Sequence, residues 1–408
     1  MRKLTILDSS IDIDAFDKNS KYIVKVLAST NLQKALFEYS EYFFKAAHKI
    51  AEYIFSSERP NIGKLDTYFF PLAFLYRHCI ELGLKAIGFQ YILGKSAREN
   101  FVKSTRHNLS EILSIIEAQA CCARPKKEMD WIKKYFADLS QMDRESDSFR
   151  YPFHIVREFS IWEPDNKFVI KGIFDKQTHI DLLKFINKSE AAYEIIKKWY
   201  NKDTRDAIEY QKFNSVFMEK GGNYYAQSVV GYKDNKEKFY PYTKAYLETA
   251  NYLKDWMKKK VDSGENNCDE YLFLPMCYLY RNCVELSLKT IWFEEIEEDF
   301  QEKCKCMLAN KHSIIGMWRK IRPYVEKYLS GAYINTVENY CMQIHMLDSD
   351  ANKFRYPMSN SMQNYFSHNK RFDFIVIGDF LEALNNTLDD FNCRLNCINE
   401  IKAETREE

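Results

Sequence analysis

Charged side chains recur at a fixed spacing in two nearly identical segments. The stretch "YRHCIELGLK" spans residues 76–85, and "YRNCVELSLK" spans residues 280–289. In each segment Arg, Glu and Lys are four residues apart, which on a helix places the carboxylate one turn from a cation on either side. Because the neighbouring residues are apolar, each helix should be central and its charges partly buried. The two polar stripes are Arg77, Glu81 and Lys85 in the first segment, and Arg281, Glu285 and Lys289 in the second.

Buried charges need partners, so each polar stripe has two alternative roles. It can form an ion ladder that fixes its helix against Asp143 or Asp348, or it can line a functional cleft. Two histidines follow the stripes in matching order. His107 in "RHNLSEIL" and His312 in "KHSIIGMW" each stand before an apolar-periodic segment, where an imidazole can brace a helix start or contribute to a site.

The sequence "FRYP" occurs at residues 149–152 and again at 354–357. Proline biases the residue before it away from helix, so Arg150 and Arg355 should stand at a helix end or a bend. A guanidinium placed there can bind a carboxylate or a phosphate. Asp143 and Asp348 precede these arginines by seven residues. That separation is about two helical turns, so we expect at least one arginine to pair with the aspartate of its own half.

These motifs recur in the same order at an almost constant separation, which indicates an internal duplication. Each copy is far longer than a solenoid unit of about 20–50 residues, so each should be a domain with its own core. A short strand is expected within residues 166–175, and a small hairpin around Gly221 and Gly222. The predicted organisation is an N-terminal extension (1–30), a helical domain (31–205), a linker or hairpin insertion (206–238) and a second helical domain (239–408).

The composition favours an all-α protein without metal, cofactor or membrane partner. The 408 residues include only 12 Gly and 9 Pro, which favours long helices over short strands with tight turns. Lys and Arg (59) balance Asp and Glu (58), so any nucleic-acid binding must come from a local patch. The 11 Cys show no paired CxxC motif, and no HExxH or glycine-rich phosphate loop occurs. The start of the chain lacks the apolar core of a signal peptide, so a cytoplasmic location is expected.

The chain resembles the HEPN superfamily of small helical bundles in the order of three motifs. These are a helix with ELxLK, a later His at a helix start, and a final Arg-Tyr-Pro. The resemblance covers residues 66–157 and 270–360. It implies two tandem HEPN-like bundles packed as an intramolecular pseudo-dimer. Many HEPN proteins are metal-independent endoribonucleases of prokaryotic toxin and antiviral defence systems, in which Arg and His act at a cleft between two units. Others are non-catalytic binding or dimerisation modules.

Carried over to this chain, the resemblance gives His154 the proton-transfer role and gives Arg150 and Arg355 the phosphate role. Three residues separate Arg150 from His154, fewer than in the catalytic pattern, and the second copy reads "RYPMSN" without a His. Two functions therefore stay open. The first is an RNA-directed protein, in its active form an endoribonuclease, and the second is a scaffold or sensor that binds a protein or nucleotide partner. A homodimer is compatible with both.

Overall fold

The computed structural model describes residues 7–13, 17, 19–119, 124–158, 167–172, 174–205, 207–231, 239–265 and 268–407. Most of these residues are helical, which confirms the expected helical class. The strands found in these ranges are short and pair two by two. None of the described helices is long and apolar enough to cross a membrane.

The first half of the chain (7–205) and the second half (207–407) carry similar series of elements. The first half contains β1 (Ile23–Val26), α1 (Leu32–Ile54), α2 (Ile62–Thr67), α3 (Phe69–Tyr91), α4 (Lys95–Thr105), α5 (Leu109–Gln119), α6 (Lys126–Met142), β2 (Phe153–Glu158), β3 (Lys167–Gly172), β4 (Thr178–Asp181) and α7 (Leu182–Tyr200). The second half contains β5 (Gln227–Val230), α8 (Tyr240–Asp262), α9 (Phe273–Thr290), α10 (Phe300–Asn310), α11 (Ile314–Val325), α12 (Gly331–Leu347), β6 (Lys370–Asp373) and α13 (Phe374–Glu407).

Helices α3 and α9, which bear the polar stripes, lie at the centre of the molecule. All of α9 and nearly all of α3 is buried, as expected for helices that are apolar around most of their circumference. Helices α1 and α7 pack on α3, while α8 and α13 pack on α9. The two central helices meet where the rings of Phe74 and Tyr278 stack at 4.8 Å. The charges of both stripes are therefore enclosed by helices on several sides.

Side-chain caps fix where the surrounding helices begin. The Asn31 side chain accepts a hydrogen bond from the Lys34 N–H at the start of α1, and Asp181 caps α7 in the same way. Asp373 accepts from the N–H groups of Ile375 and Val376 at the start of α13. Asp and Asn are preferred at this position because their oxygens bind N–H groups that lack a partner within the helix. In each half, the last helix therefore begins directly after a strand that ends in Asp.

The two halves exchange their leading strands. Strand β1 precedes α1 in the first half but pairs antiparallel with β6 of the second half, from Ile23 opposite Asp373 to Val26 opposite Lys370. Strand β5 precedes α8 in the second half but pairs with β4 of the first half. Aromatic stacking between Phe70 and Tyr242 adds a contact between α3 and α8. The halves are therefore joined by backbone hydrogen bonds as well as by side-chain packing.

The strand predicted within residues 166–175 is confirmed as β3, but the hairpin predicted around Gly221 and Gly222 is wrong. The chain there makes only an isolated bridge between Lys220 and Ile180. At Gly222 the backbone has φ +103°, and a Cβ atom would lie 3.1 Å from the Cα of Asp181. Glycine permits this close approach. Strand β5 then pairs with the distant β4, because its alternate residues bury one face.

We expect Val24→Ala to loosen the second half of the chain, although Val24 belongs to the first. Val24 is 1% exposed and pairs with Phe372 of β6. Truncating a buried side chain of this kind costs roughly 1–3 kcal/mol. Hydrogen exchange followed by mass spectrometry should show faster exchange in β6. Val216→Ala, at a position that is 41% exposed, is the control. Unchanged exchange in β6 of the Val24 variant would contradict the strand exchange.

Candidate functional site

The polar stripe of α3 is a buried ion ladder. The side chains of Arg77 and Glu81 are fully buried, with the Arg Nη1 and Glu Oε2 atoms 2.5 Å apart. The Nζ atom of Lys85 lies 2.6 Å from the other carboxylate oxygen. Burial alone would raise the pKa of Glu81, but the charges of Lys85, His107 and Arg77 outweigh it and hold that pKa well below its ordinary value. Glu81 is therefore ionised and acts only as an acceptor.

Helix α9 repeats the arrangement with matching atoms. Arg281 Nη1 binds Glu285 Oε2, and Lys289 Nζ lies 2.7 Å from Glu285 Oε1. Burial again opposes ionisation, and the charges of Lys289, His312 and Arg281 again keep the pKa of Glu285 well below its usual range. Each central helix thus presents one ionised, fully buried carboxylate between two cations.

The ion ladders continue to Asp143 and Asp348, as expected if each stripe fixes its helix against an aspartate. Asp143 Oδ2 lies 3.2 Å from Arg77 Nε, and Asp348 Oδ2 lies 3.7 Å from Arg281 Nε. The expectation that they bind Arg150 or Arg355 is wrong. It assumed continuous helix, but α6 ends at Met142 and α12 at Leu347, and the aspartates adopt φ of −144° and −149°. Their other oxygens instead accept backbone N–H groups of the following turn.

The two histidines are held by the ladder carboxylates. His107 Nδ1 lies 3.1 Å from both oxygens of Glu81, and His312 Nδ1 lies 3.0 Å from Glu285 Oε1. Arg77 and Arg281 also donate to the backbone carbonyls of the same histidines. The position of each imidazole is therefore fixed on two sides by a single helix.

A tyrosine from the opposite half completes each cluster. The Tyr356 hydroxyl donates to Glu81 Oε1 over 2.9 Å, and the Tyr151 hydroxyl donates to Glu285 Oε1 over 2.7 Å. The ring of Tyr151 also lies under the ammonium group of Lys289, 4.2 Å from the ring centre. Both tyrosines come from the "FRYP" segments. The sequence signal was present, since Tyr is kept in both copies, but sequence reasoning assigned these tyrosines no role.

The hydrogen bonds determine which nitrogen of each imidazole carries the proton. Because an ionised carboxylate only accepts, Nδ1 of His107 and of His312 donates to it. Burial lowers the pKa of His107 despite the opposing charge of Glu81. For His312 the charge of Glu285 raises the pKa, but burial together with Arg150 and Lys289 lowers it more. Both imidazoles are therefore neutral near pH 7, and Nε2, which has no hydrogen-bond partner among the described residues, can accept a proton.

Both histidines line one cleft of about 710 Å³ that is shared by the two halves. The charged side chains around it are unbalanced, although the whole chain carries a formal charge of only +1. Such a local excess of cations favours anionic ligands. The cations of the cleft are Lys85, Lys103, Arg106, Arg150, Lys311 and Arg355, and its carboxylates are Glu145 and Asp147.

The two "FRYP" arginines occupy equivalent positions in the cleft, each 3% exposed. Arg150 Nε donates to the Ser146 carbonyl over 2.7 Å, and its Nη2 forms an ion pair with Asp147. Arg355 Nε likewise donates to the carbonyl of Ala351. The two sites therefore share one backbone geometry, with each arginine folded back onto the turn that precedes it.

The cleft brings together only some of the predicted site residues. Arg150, Arg355, Lys85, His107 and His312 line it. The remaining stripe residues stand behind it as supports for the histidines. His154 instead lies on β2, with its Cα opposite Lys171 of the β2–β3 hairpin, and is not part of the lining. His154, for which proton transfer is predicted, therefore does not line the cleft that His107 and His312 share.

The chemistry that the cleft itself offers is proton transfer by imidazole and charge stabilisation by guanidinium and ammonium groups.

No family model, curated protein or solved structure matches the chain. Across the described ranges, no three His, Cys, Asp or Glu side chains are grouped so that they could hold a metal ion.

Removing the carboxylate of the first ladder should strongly destabilise the protein. In Glu81→Ala the buried Arg77 and Lys85 lose their partner, which costs roughly 3–5 kcal/mol. Chemical denaturation measures the loss. Glu117→Ala is the control, since its ion pair with Lys133 is exposed and should contribute below about 1 kcal/mol. A loss below about 0.5 kcal/mol for Glu81→Ala would place the ladder in solvent.

Acidic pH should destabilise the fold by protonating the ladder carboxylates and the two histidines. Glu81 and Glu285 have depressed pKa values, so their stabilisation is present above the ordinary pKa of 4.5 and is lost as pH falls. His107 and His312 act in the same direction, because the unfolded chain takes up their protons first, near the ordinary pKa of 6.5. Denaturation titrations should show a free energy of unfolding that falls below about pH 6.5, where the histidines of the unfolded chain take up protons, and falls further below about pH 4.5, where its carboxylates do. A constant free energy between about pH 7 and about pH 4 would contradict the assignment.

Proposed function

We propose that the chain is an RNA-directed protein built from two HEPN-like bundles joined as an intramolecular pseudo-dimer, and that its shared cleft cleaves RNA without a metal ion. One observation carries the proposal. Neutral histidines and buried arginines from both halves line a single cleft with a local excess of positive charge. A role in a bacterial defence or toxin system is implied only by the HEPN resemblance.

The proposed reaction uses the ribose 2′-hydroxyl as the nucleophile. Nε2 of His107 or His312 accepts the hydroxyl proton, and the oxygen attacks the adjacent phosphorus. The arginine guanidinium groups stabilise the extra negative charge of the phosphorane. The bond from phosphorus to the 5′-oxygen then breaks, and that oxygen takes a proton from solvent. The products are a 2′,3′-cyclic phosphate and a 5′-hydroxyl, so DNA, which lacks the nucleophile, is not a substrate.

The buried carboxylates act as positioning groups in this proposal. Glu81 and Glu285 hold Nδ1 of their histidines in the protonated form, which leaves Nε2 free to act as the base. Each carboxylate in turn is oriented by the tyrosine of the opposite half. His107 and His312 replace His154 in the proton-transfer role, because they share the cleft with the arginines.

A non-catalytic module that binds a nucleotide or protein partner is the second candidate. It is favoured by the internal engagement of the polar groups. Arg150 is already paired with Asp147, and both histidines already bind carboxylates. In that function the cleft would bind anionic groups without breaking a bond.

Incubation of single-stranded RNA with the purified protein in EDTA tests the proposal. RNA should be cut to products with 2′,3′-cyclic phosphate ends, and DNA of the same sequence should stay intact. His107→Gln and His312→Gln should lower the cleavage rate, together by about 100-fold to 10,000-fold, the usual contribution of a general base. Circular dichroism should show that both variants remain folded.

His154→Gln is the matched control and should cut RNA at the wild-type rate. Intact RNA after incubation with the wild-type protein would exclude the nuclease and leave the binding module. Loss of cleavage in His154→Gln, with full activity in the other two variants, would return proton transfer to His154.

A further inference from the structure

The two arginine sites of the cleft have the same backbone turn but differ in the side chain that the guanidinium binds. The turns before Arg150 and Arg355 both contain a residue with left-handed backbone, Ser146 at φ +62° and Ala351 at φ +61°. In both turns the arginine Nη2 donates to the side chain three residues earlier. That side chain is Asp147 in the first half, where it forms the ion pair of Arg150. In the second half it is Asn352, whose Oδ1 lies 2.9 Å from Arg355 Nη2.

This difference leaves one arginine neutralised and the other charged. Burial tends to raise the pKa of Asp147, but the charge of Arg150 outweighs it and lowers that pKa, so the ion pair persists at neutral pH. Within the described part of the chain, no carboxylate lies within ion-pair distance of Arg355, and its Nη1 has no hydrogen-bond partner. A buried guanidinium without a counter-charge is unfavourable and therefore favours an incoming anion.

Neither neighbouring acid on that side forms an ion pair with Arg355, because Asp348 pairs with Arg281 and Asp350 binds other groups. Asp350 accepts hydrogen bonds from Asn352 Nδ2, over 2.9 Å, and from the Tyr365 hydroxyl, over 3.3 Å. Asp350 is thus turned to the amide of Asn352, not to the guanidinium of Arg355.

We propose that the cleft binds one phosphate group at Arg355, and that Asp147 occupies the equivalent place at Arg150 as an internal substitute for a second phosphate. The inference rests on the proposed function, in which the phosphate belongs to RNA. A carboxylate can take this place because guanidinium groups bind carboxylate and phosphate oxygens with the same paired N–H geometry. The two halves therefore contribute unequally to phosphate binding, and the RNA strand is anchored at Arg355 of the second half.

Exchanging the two side chains tests this asymmetry. Binding of inorganic phosphate can be measured by isothermal titration calorimetry at low salt. The wild-type protein should bind one phosphate per chain, Asp147→Asn should bind two, and Asn352→Asp should lose at least about tenfold in affinity because its new carboxylate neutralises Arg355.

Two matched variants change the charge of the cleft without touching either arginine. Glu145→Gln removes a lining carboxylate that pairs with Arg144, and Asn360→Asp adds a carboxylate at another lining position. Each should change phosphate affinity by less than about threefold, as expected for screened charges at the cleft surface. If the exchanged variants shift affinity and stoichiometry no more than these controls, the asymmetry is wrong.

Anisotropy measurements with a fluorescent single-stranded RNA separate this inference from the proposed function. If phosphate binding follows the exchanged variants while RNA is neither bound nor cut, the arginine site stands and the RNA function fails. If RNA is cut but phosphate binding ignores the exchange, the function stands and the asymmetry fails. If both follow the exchange, both are supported.

Discussion

The structure depends on two buried carboxylates, Glu81 and Glu285, that no single half of the chain can fully satisfy. Each is paired with an Arg and a Lys of its own helix, holds a histidine, and accepts a hydrogen bond from a tyrosine of the opposite half. A buried charge is tolerated only with such a complete set of partners. The requirement therefore links helix packing, the joining of the halves and the orientation of the histidines.

The same arrangement explains how a nearly neutral chain forms a positively charged cleft. The carboxylates that balance the ladder cations lie behind the histidines, inside the fold, while Arg106, Lys311 and the "FRYP" arginines face the shared space. Burial and nearby cations keep each imidazole neutral, and the ladder carboxylate keeps its Nδ1 protonated. The exchange of β1 and β5 holds the halves together around that space. The proposed RNA chemistry and the proposed phosphate anchor both use this one location.

Much of this organisation could be predicted from the sequence, because it depends on local spacing. The helical class, the burial of the stripes and the contacts of Arg77 with Glu81 follow from four-residue periodicity. The partners of Arg150 could not be predicted this way, since the chain leaves the helix at Asp143 and brings Asp147 to the guanidinium instead. The contacts of Tyr151 and Tyr356 and the pairing of β1 with β6 are long-range, and no local pattern specifies them. The role of His154 is implied by the HEPN resemblance and stays a prediction, and no spacing in the sequence indicates that His107 and His312 line the cleft.

A double-mutant cycle between Tyr356 and Glu81 tests the central claim most directly, namely that each half completes the buried cluster of the other. Tyr356→Phe removes only the hydroxyl, and Glu81→Ala removes the carboxylate that accepts its hydrogen bond. Free energies of unfolding for the wild type, both single variants and the double variant give the coupling energy. A hydrogen bond to a buried carboxylate predicts a coupling of about 1.5–3 kcal/mol. A coupling indistinguishable from zero would contradict the account.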